Sequence, residues 1–339
     1  MKMINLKKIL GVFALCSISM FVSCNDDDSS SESGGPVIES ISMSKNDSLV
    51  EQGTANNMYI IRGKGFTNTQ KIYFNEKDTY FNNTFVTDNV ILVTIDKDTP
   101  YENANNEVKV VTTMGTATYK FVVAPPAPTV RSFNPVNAAD GEKITIYGTF
   151  FLNPVVKIGG VNAEVVSSTL TEIVAVVPAG SQLKYVSVET ISGKSQWNTA
   201  IGTAIYDDEF YAPWNIEDWN NHTYVTDAAK AYQGVKFIKK AIAGWDNIQG
   251  NWAWNDQLSQ YTGIHFAVKS DDVGKLQLVF NGVWDDNVAR QFATGTEWVD
   301  VRFTWAQLGN PAALQNITFK ESTGAAHNYY FDNFGYTVD

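Results

Sequence analysis

Residues 144–151 read ITIYGTFF, and residues 59–66 read YIIRGKGF. Both run from a β-rich segment into Gly-x-x-Phe, so that Gly148 falls on Gly63 and Phe151 on Phe66. A second match follows further down each copy: VKVVTTMGTATY (108–119) lies on VSVETISGKSQW (186–197), with Gly115 on Gly193 and Tyr119 on Trp197. Self-similarity at a fixed spacing marks a repeated structural unit. Within each copy, short runs such as Ile144/Ile146 and Val186/Val188 alternate or stay apolar between Gly, Asn and Pro turns. At about 80–90 residues each, the copies have the size and pattern of an immunoglobulin-like sandwich without its disulfide.

The chain of 339 residues has room for two or three such domains. It is acidic, with a formal charge of −11 that becomes −14 once Lys2, Lys7 and Lys8 are removed with the leader described below. That balance excludes nucleic acid and anionic lipid as partners. Its two cysteines, Cys16 and Cys24, both precede the folded part, so neither a disulfide framework nor thiol chemistry is expected there. Three histidines far apart, His222, His265 and His327, give little support to a zinc site or a histidine-based triad.

The start, MKMINLKKILGVFALCSISMFVSC (1–24), has a basic head, an apolar run from Ile9 to Val22 and small residues before a cysteine. It reads as a secretory signal spanning residues 1–23, too short for a good membrane span. FVSC resembles a bacterial lipobox, with Phe21 in place of the usual leucine, and the resemblance implies that Cys24 is acylated. Residues 24–35 continue as an acidic and then Ser/Gly-rich tether. Cys followed by Asn-Asp-Asp-Asp resembles the export signal that places lipoproteins of Bacteroidota on the outer face of the outer membrane. The implied attachment to the membrane is through the lipid anchor only.

PTVRSFNPVNAADGEKITIYGTFF (128–151) is similar to the start of the IPT/TIG family, and residues 36–124 fit the same pattern more loosely. The expected modules are thus IPT/TIG-like domains at 36–124 and 125–205, which in this family act as spacers or interaction modules. The APPAPT run (124–129) between them favours an extended, semi-rigid connector.

After about Ile205 the composition changes: eight of the nine tryptophans fall between Trp214 and Trp305. Strands are expected at 263–268, 275–280, 297–305, 316–320 and 328–336. In the third of these, Val299, Val301, Phe303 and Trp305 share one face, and Trp298, Asp300, Arg302 and Thr304 the other. Residues 206–339 are therefore expected to form a β-sandwich of jelly-roll type, making the whole chain all-β. The order KKAIAGWDNIQ (239–249), YTGIHFAVKSDD (261–272), TEWVDVRFTWAQL (296–308) and YYFDNFGY (329–336) resembles carbohydrate-binding β-sandwich modules. With the lipoprotein start and the tandem IPT/TIG-like modules, the chain resembles the surface glycan-binding lipoproteins of polysaccharide utilisation loci. The resemblance implies a polysaccharide ligand, a β-glucan such as xyloglucan or mixed-linkage glucan. It also implies two partners, an outer-membrane transporter complex of the starch-utilisation type and a surface glycanase.

The residues expected to carry binding follow from sugar chemistry. A sugar ring offers C–H groups that stack on an indole, and hydroxyls that need planar amide or acid partners. GNWAWNDQ (250–257) sets Trp252 and Trp254 on one side of an extended segment, among Asn251, Asn255, Asp256 and Gln257. Trp245 in GWDNIQ, with Asn247 and Gln249, and Trp284 in FNGVWDDN (280–287) sit in the same kind of setting. Arg290 and Glu321 are candidate hydroxyl ligands. Trp214, Trp219 and Trp305 read as core or edge residues, and Trp298 as structural. No cofactor is required; the resemblance allows a structural calcium at Asp207, Asp208 and Asp332, whose oxygens suit that ion.

Two other classes compete. A glycosidase needs a pair of carboxylates across a cleft, and Asp271/Asp272 and Asp285/Asp286 are pairs, but they fall in expected hairpin turns and no Glu-x-Asp-x-x-Glu strand is present. An adhesin or assembly protein would bind through the IPT/TIG-like modules, and would have no use for the tryptophans of the last region.

Overall fold

The computed structural model describes residues 34–211, 213–250 and 255–339; the leader, Cys24, Trp252 and Trp254 lie outside them. The two repeat copies fold alike. In the first, a sheet of Val37–Met43, Met58–Lys64 and Val90–Thr94 faces one ordered Lys77–Asp78, Thr69–Phe74, Glu107–Thr112 and Gly115–Lys120. In the second, Thr129–Asn134, Lys143–Thr149, Glu172–Val176 and Glu164–Ser168 face Val161–Asn162, Val155–Ile158, Tyr185–Thr190 and Gly193–Ala200. Both are immunoglobulin-like sandwiches.

The Gly-x-x-Phe repeat has a steric cause. A Cβ on Gly63 would strike the Val37 carbonyl and the Phe66 ring, and one on Gly148 would strike the Thr129 carbonyl and the Phe151 ring. Each first strand carries a matching register shift at this point, between Ile38 and Ser40 and between Val130 and Ser132. The bulge and the missing side chain let a fully buried phenylalanine close the core beneath.

The third domain is a two-sheet sandwich. One sheet is ordered Thr223–Thr226, Lys236–Ile242, His327–Thr337, Gly263–Ser270 and Val299–Thr304, with Ala204–Tyr206 added against His327–Thr337. The other is ordered Asn247–Gln249, Ile317–Glu321, Gly274–Phe280 and Gln291–Thr294. Between them Phe266 packs on Phe292, Phe303, Phe319 and Phe334, with ring centroids 4.7–6.3 Å apart. The face read for residues 299–305 holds at its centre, where Val301 and Phe303 are buried and Arg302 and Thr304 exposed, but Val299 at the strand's start is exposed. No helix among the described residues is long and apolar enough to cross a membrane.

Candidate functional site

The second sheet of the third domain turns Ile248, Leu276, Leu278, Phe280, Ile317 and Phe319 into the core. Alternation then places Asn247, Gln249, Gln277, Gln291, Thr318 and Lys320 on its outer face. The register aligns four of these in one row. Asn247 stands opposite Lys320, Lys320 opposite Gln277, and Gln277 opposite Gln291. At the usual strand spacing the row spans about 14 Å. Gln249 lies opposite Thr318 in the next row and donates to the Asn247 side-chain oxygen at 2.7 Å.

The loop after Gly274–Phe280 folds back over this face. Gln277 donates to the Asp285 carbonyl, Arg290 pairs with the Asp285 carboxylate, and Lys320 lies 3.4 Å from Asp286. Trp284 rides on this loop, 52% exposed. At the edge strand, Trp245 sits in the turn before Asn247–Gln249, 63% exposed and with φ +68°. A bulky residue in the left-handed region costs about 1–2 kcal/mol, and such strain gathers where a side chain is being aimed. The turn is fixed by Glu321, which is fully buried and accepts from the Trp245, Thr323 and Gly324 N–H groups. Burial works against the charged form of Glu321, but the Thr323 hydroxyl and these N–H groups outweigh it and hold its pKa below the usual glutamate value.

Several expected residues have other work. Glu321 is a turn anchor without exposed surface, not a hydroxyl ligand. Arg290, 5% exposed and turned to Asp285, holds the Trp284 loop. Asp256 accepts from the Trp214 indole at 2.8 Å and the Tyr336 hydroxyl at 2.6 Å, so it braces the core. Asp207, Asp208 and Asp332 do not fit calcium. Asp207 accepts from Val136 N–H and the Tyr211 hydroxyl, Asp208 from Val235 and Lys236 N–H, and Asp332 from Tyr232, Gln233 and Asn333 N–H. Donors occupy oxygens that a cation would need, and no metal-holding cluster occurs among the described residues.

Trp219, read as a core or edge residue, is 57% exposed. Its neighbour Asn220 makes two bonds to Gln249, donating to the carbonyl at 3.1 Å and accepting from the N–H at 2.9 Å. Trp219 is thereby held beside the edge strand of the face. The DWN turn that does this carries no sequence signal beyond the tryptophan itself. Trp214 and Trp305 pack with the core, and Trp298 donates to the Lys230 carbonyl on the other sheet. Trp252 and Trp254 follow directly on Gly250 but lie outside the described residues.

The arrangement is a sheet face on which Asn247, Gln249, Gln291 and Lys320 stay half-buried while the loop covers Gln277, with indoles at its borders. Lys320 and Arg290 are matched by Asp286 and Asp285, and Lys275 reaches only the Gln291 side chain. Residues 128–206 match the IPT/TIG domain family. An IPT/TIG domain-containing protein of Bacteroides ovatus is 28% identical over 153 residues, covering 42% of this chain; the chain spans 30% of that relative's length. Among solved structures, the surface glycan-binding protein PbSGBP-B of Prevotella bryantii aligns with 90% of this chain and 99% of its own, at 16% identity and a TM-score of 0.48. SGBP-B from a complex xyloglucan utilization locus in Bacteroides uniformis aligns with 90% and 100%, at 13% identity and a TM-score of 0.37. A family 11 carbohydrate-binding module of Clostridium thermocellum, in complex with a β-1,3-1,4-mixed-linked tetrasaccharide, covers 40% of this chain and 95% of its own, at 12% identity and a TM-score of 0.27.

Proposed function

We propose that the chain binds a neutral polysaccharide on the outer face of the third domain's second sheet, and does not cleave it. The observation that carries this reading is the pairing of exposed Trp245 and Trp284 with the half-buried amides Asn247, Gln249 and Gln291 on the same face. Indole faces take C–H groups of the sugar ring, and the amides both donate to and accept from its hydroxyls. A largely neutral ligand is supported by the pairing of Lys320 with Asp286 and of Arg290 with Asp285; Lys275, 3.5 Å from the Gln291 side chain, is the cation of this face without a carboxylate partner. The absence of cleavage is supported by the acids offered for it. Asp285 and Asp286 are held in these pairs, and Asp271 is engaged by Asn328 at 2.7 Å and His327 at 3.5 Å.

The order of segments favours a β-glucan such as xyloglucan or mixed-linkage glucan. On this reading Cys24 carries a lipid that holds the chain at the outer membrane facing outward, and the bound glycan passes to a surface glycanase and a transporter.

The test is calorimetry of residues 36–339 against a panel of neutral polysaccharides. One β-glucan should bind, and Trp284→Ala should weaken it at least tenfold, about 1.4 kcal/mol. Trp245→Gly is the sharper variant: relief of the left-handed strain leaves the melting temperature equal or higher, while affinity falls. No binding to any neutral glycan, or equal binding by both variants, overturns the reading.

A further inference from the structure

The opposite sheet of the third domain carries a different surface. Lys239 stands opposite Tyr330, and Tyr330 opposite Lys269, in one row across three strands. The Lys269 ammonium lies 4.7 Å from the Trp298 ring centroid, 5.5 Å from Tyr330 and 5.8 Å from Phe237, and the Lys239 ammonium lies 5.8 Å from Tyr330. Phe237, Lys239, Lys269 and Tyr330, with Val225 and Asp271 among others, line a hollow of about 440 Å³.

Three acids stand around it, Asp227, Asp271 and Glu297, and Glu297 acts on Lys269 without closing an ion pair. Asp227 pairs with Lys230 at 2.8 Å, and Asp271 with Asn328 and His327. Among the described residues, neither Lys239 nor Lys269 forms an ion pair. Ring faces take up part of a lysine's charge but do not neutralise it. Burial pushes the Lys269 amine below its ordinary pKa, with Glu297 pulling the other way without prevailing. In a chain of net charge −11, two unpaired ammonium groups meeting over one tyrosine stand out from the surrounding surface.

We propose that this hollow binds an acidic sugar unit, a uronate or a sulfated residue, with its anion between Lys239 and Lys269. The volume lies within the range of small-ligand pockets, and Val225 and the edge of Tyr330 offer apolar contact for the ring's C–H groups. The site is separate from the tryptophan face and stands whether or not that face binds neutral glycan. A polysaccharide with neutral and acidic units could then be held at two points, with the gain in avidity that linkage brings.

The test is calorimetry of residues 36–339 with a galacturonate trimer, a neutral galactotriose and malonate. The galacturonate trimer should bind, weaken severalfold between about 50 and about 500 mM salt, and lose at least tenfold in Lys269→Met. Lys269→Arg, which keeps the charge, should retain most of the affinity, and neutral-glycan binding elsewhere should be unchanged in all variants. Equal affinity for uronate and neutral trimer, or full binding by a folded Lys239→Met/Lys269→Met double variant, removes the site. Malonate binding as tightly as the uronate would show a plain anion site and overturn the sugar assignment. If the double variant does not fold, the charge-keeping arginine variant still decides, since loss of binding there contradicts the charge argument.

Discussion

The chain has two junctions between domains, and they are built differently. Between the first and second modules, the described residues give two side-chain hydrogen bonds, Gln52 to the Ile191 carbonyl at 3.4 Å and Ser192 to the Pro125 carbonyl at 2.7 Å. A cleft of about 600 Å³ opens beside them, lined by Tyr101, Asn153, Ser168 and others. Between the second module and the third domain, Ala204–Tyr206 runs on from one into the sheet of the other. Asp207 accepts from Val136 N–H, Asp208 from Asn134, Asp300 from Asn198, and the Val338 carbonyl from the Tyr185 hydroxyl. Gln233 donates to the Phe133 carbonyl, and Trp197 packs on Tyr232 at 5.6 Å. The second module and the third domain are therefore tied by a continuous strand and many polar contacts, while the first module is joined through a short strap. In physical terms, Asp207 and Asp208 are part of the polar clamp of the second junction, while Asp332 holds the Gln233 segment that reaches Phe133.

The largest effect should come from opening that clamp. Asp332 is fully buried and satisfies three backbone N–H groups around Gln233. Asp332→Ala leaves buried donors unpaired, and should cost about 3 kcal/mol or more, read as a lowered melting temperature. Asn198→Ala removes the 2.8 Å bond to Asp300 while keeping the main-chain carbonyl that Arg302 meets at 3.1 Å, and should cost about 1 kcal/mol. If neither change alters unfolding of the second module together with the third domain, these contacts do not tie the two.

Acid should loosen the same junction before the other. His265 is fully buried, 3.5 Å from Asp300, and burial pushes its imidazole below the ordinary pKa, with Asp300 pulling the other way without prevailing. The unfolded chain takes up this proton near pH 6.5, whereas the folded chain resists it. Stability contributed by neutral His265 is thus present above about 6.5 and is lost as pH falls towards the lower folded value. His222 is shifted the same way by burial, so the comparison needs a His265→Gln variant. Denaturant midpoints at pH 7.5 and 5.5 should differ less in the variant; equal differences would remove His265 from the account.

Much of this was legible in the sequence, for reasons that differ by element. The strands of all three domains follow from alternation and apolar runs, as at 299–304, because burial on one face demands them. The repeat was visible as Gly63/Gly148, though its cause, a carbonyl lying where a Cβ would be, belongs to the partner strand. Trp245 and Trp284 were found because a large aromatic among turn residues has no core to enter. Glu321 was misread because it ties its own turn, through Thr323 and Gly324, to the Trp245 N–H 76 residues away in sequence. Asp207, Asp208 and Asp332 looked like oxygen ligands because composition does not reveal which backbone donors the fold brings to them. The Lys239–Tyr330–Lys269 row needs three strands brought into register, which no local pattern encodes.

The smallest effect tests the weaker junction. Pro125 and Pro126 follow directly on the strand Val122–Ala124, which pairs in parallel with Gln52–Thr54, and their fixed φ angles set the direction in which the chain leaves the first module. Pro126 is exposed, and neither proline can donate a backbone hydrogen bond, so replacing both with glycine removes no donor. Pro125→Gly/Pro126→Gly should shift the melting temperature by no more than a few degrees, the cost being mainly entropy regained by the unfolded chain. Small-angle scattering, however, should show a broader distribution of lengths, because the remaining Gln52 and Ser192 bonds are exposed or single and cannot hold an angle alone. An unchanged scattering profile would mean that the packing around the cleft, rather than the proline strap, sets the angle, and the two junctions would then differ in strength but not in kind.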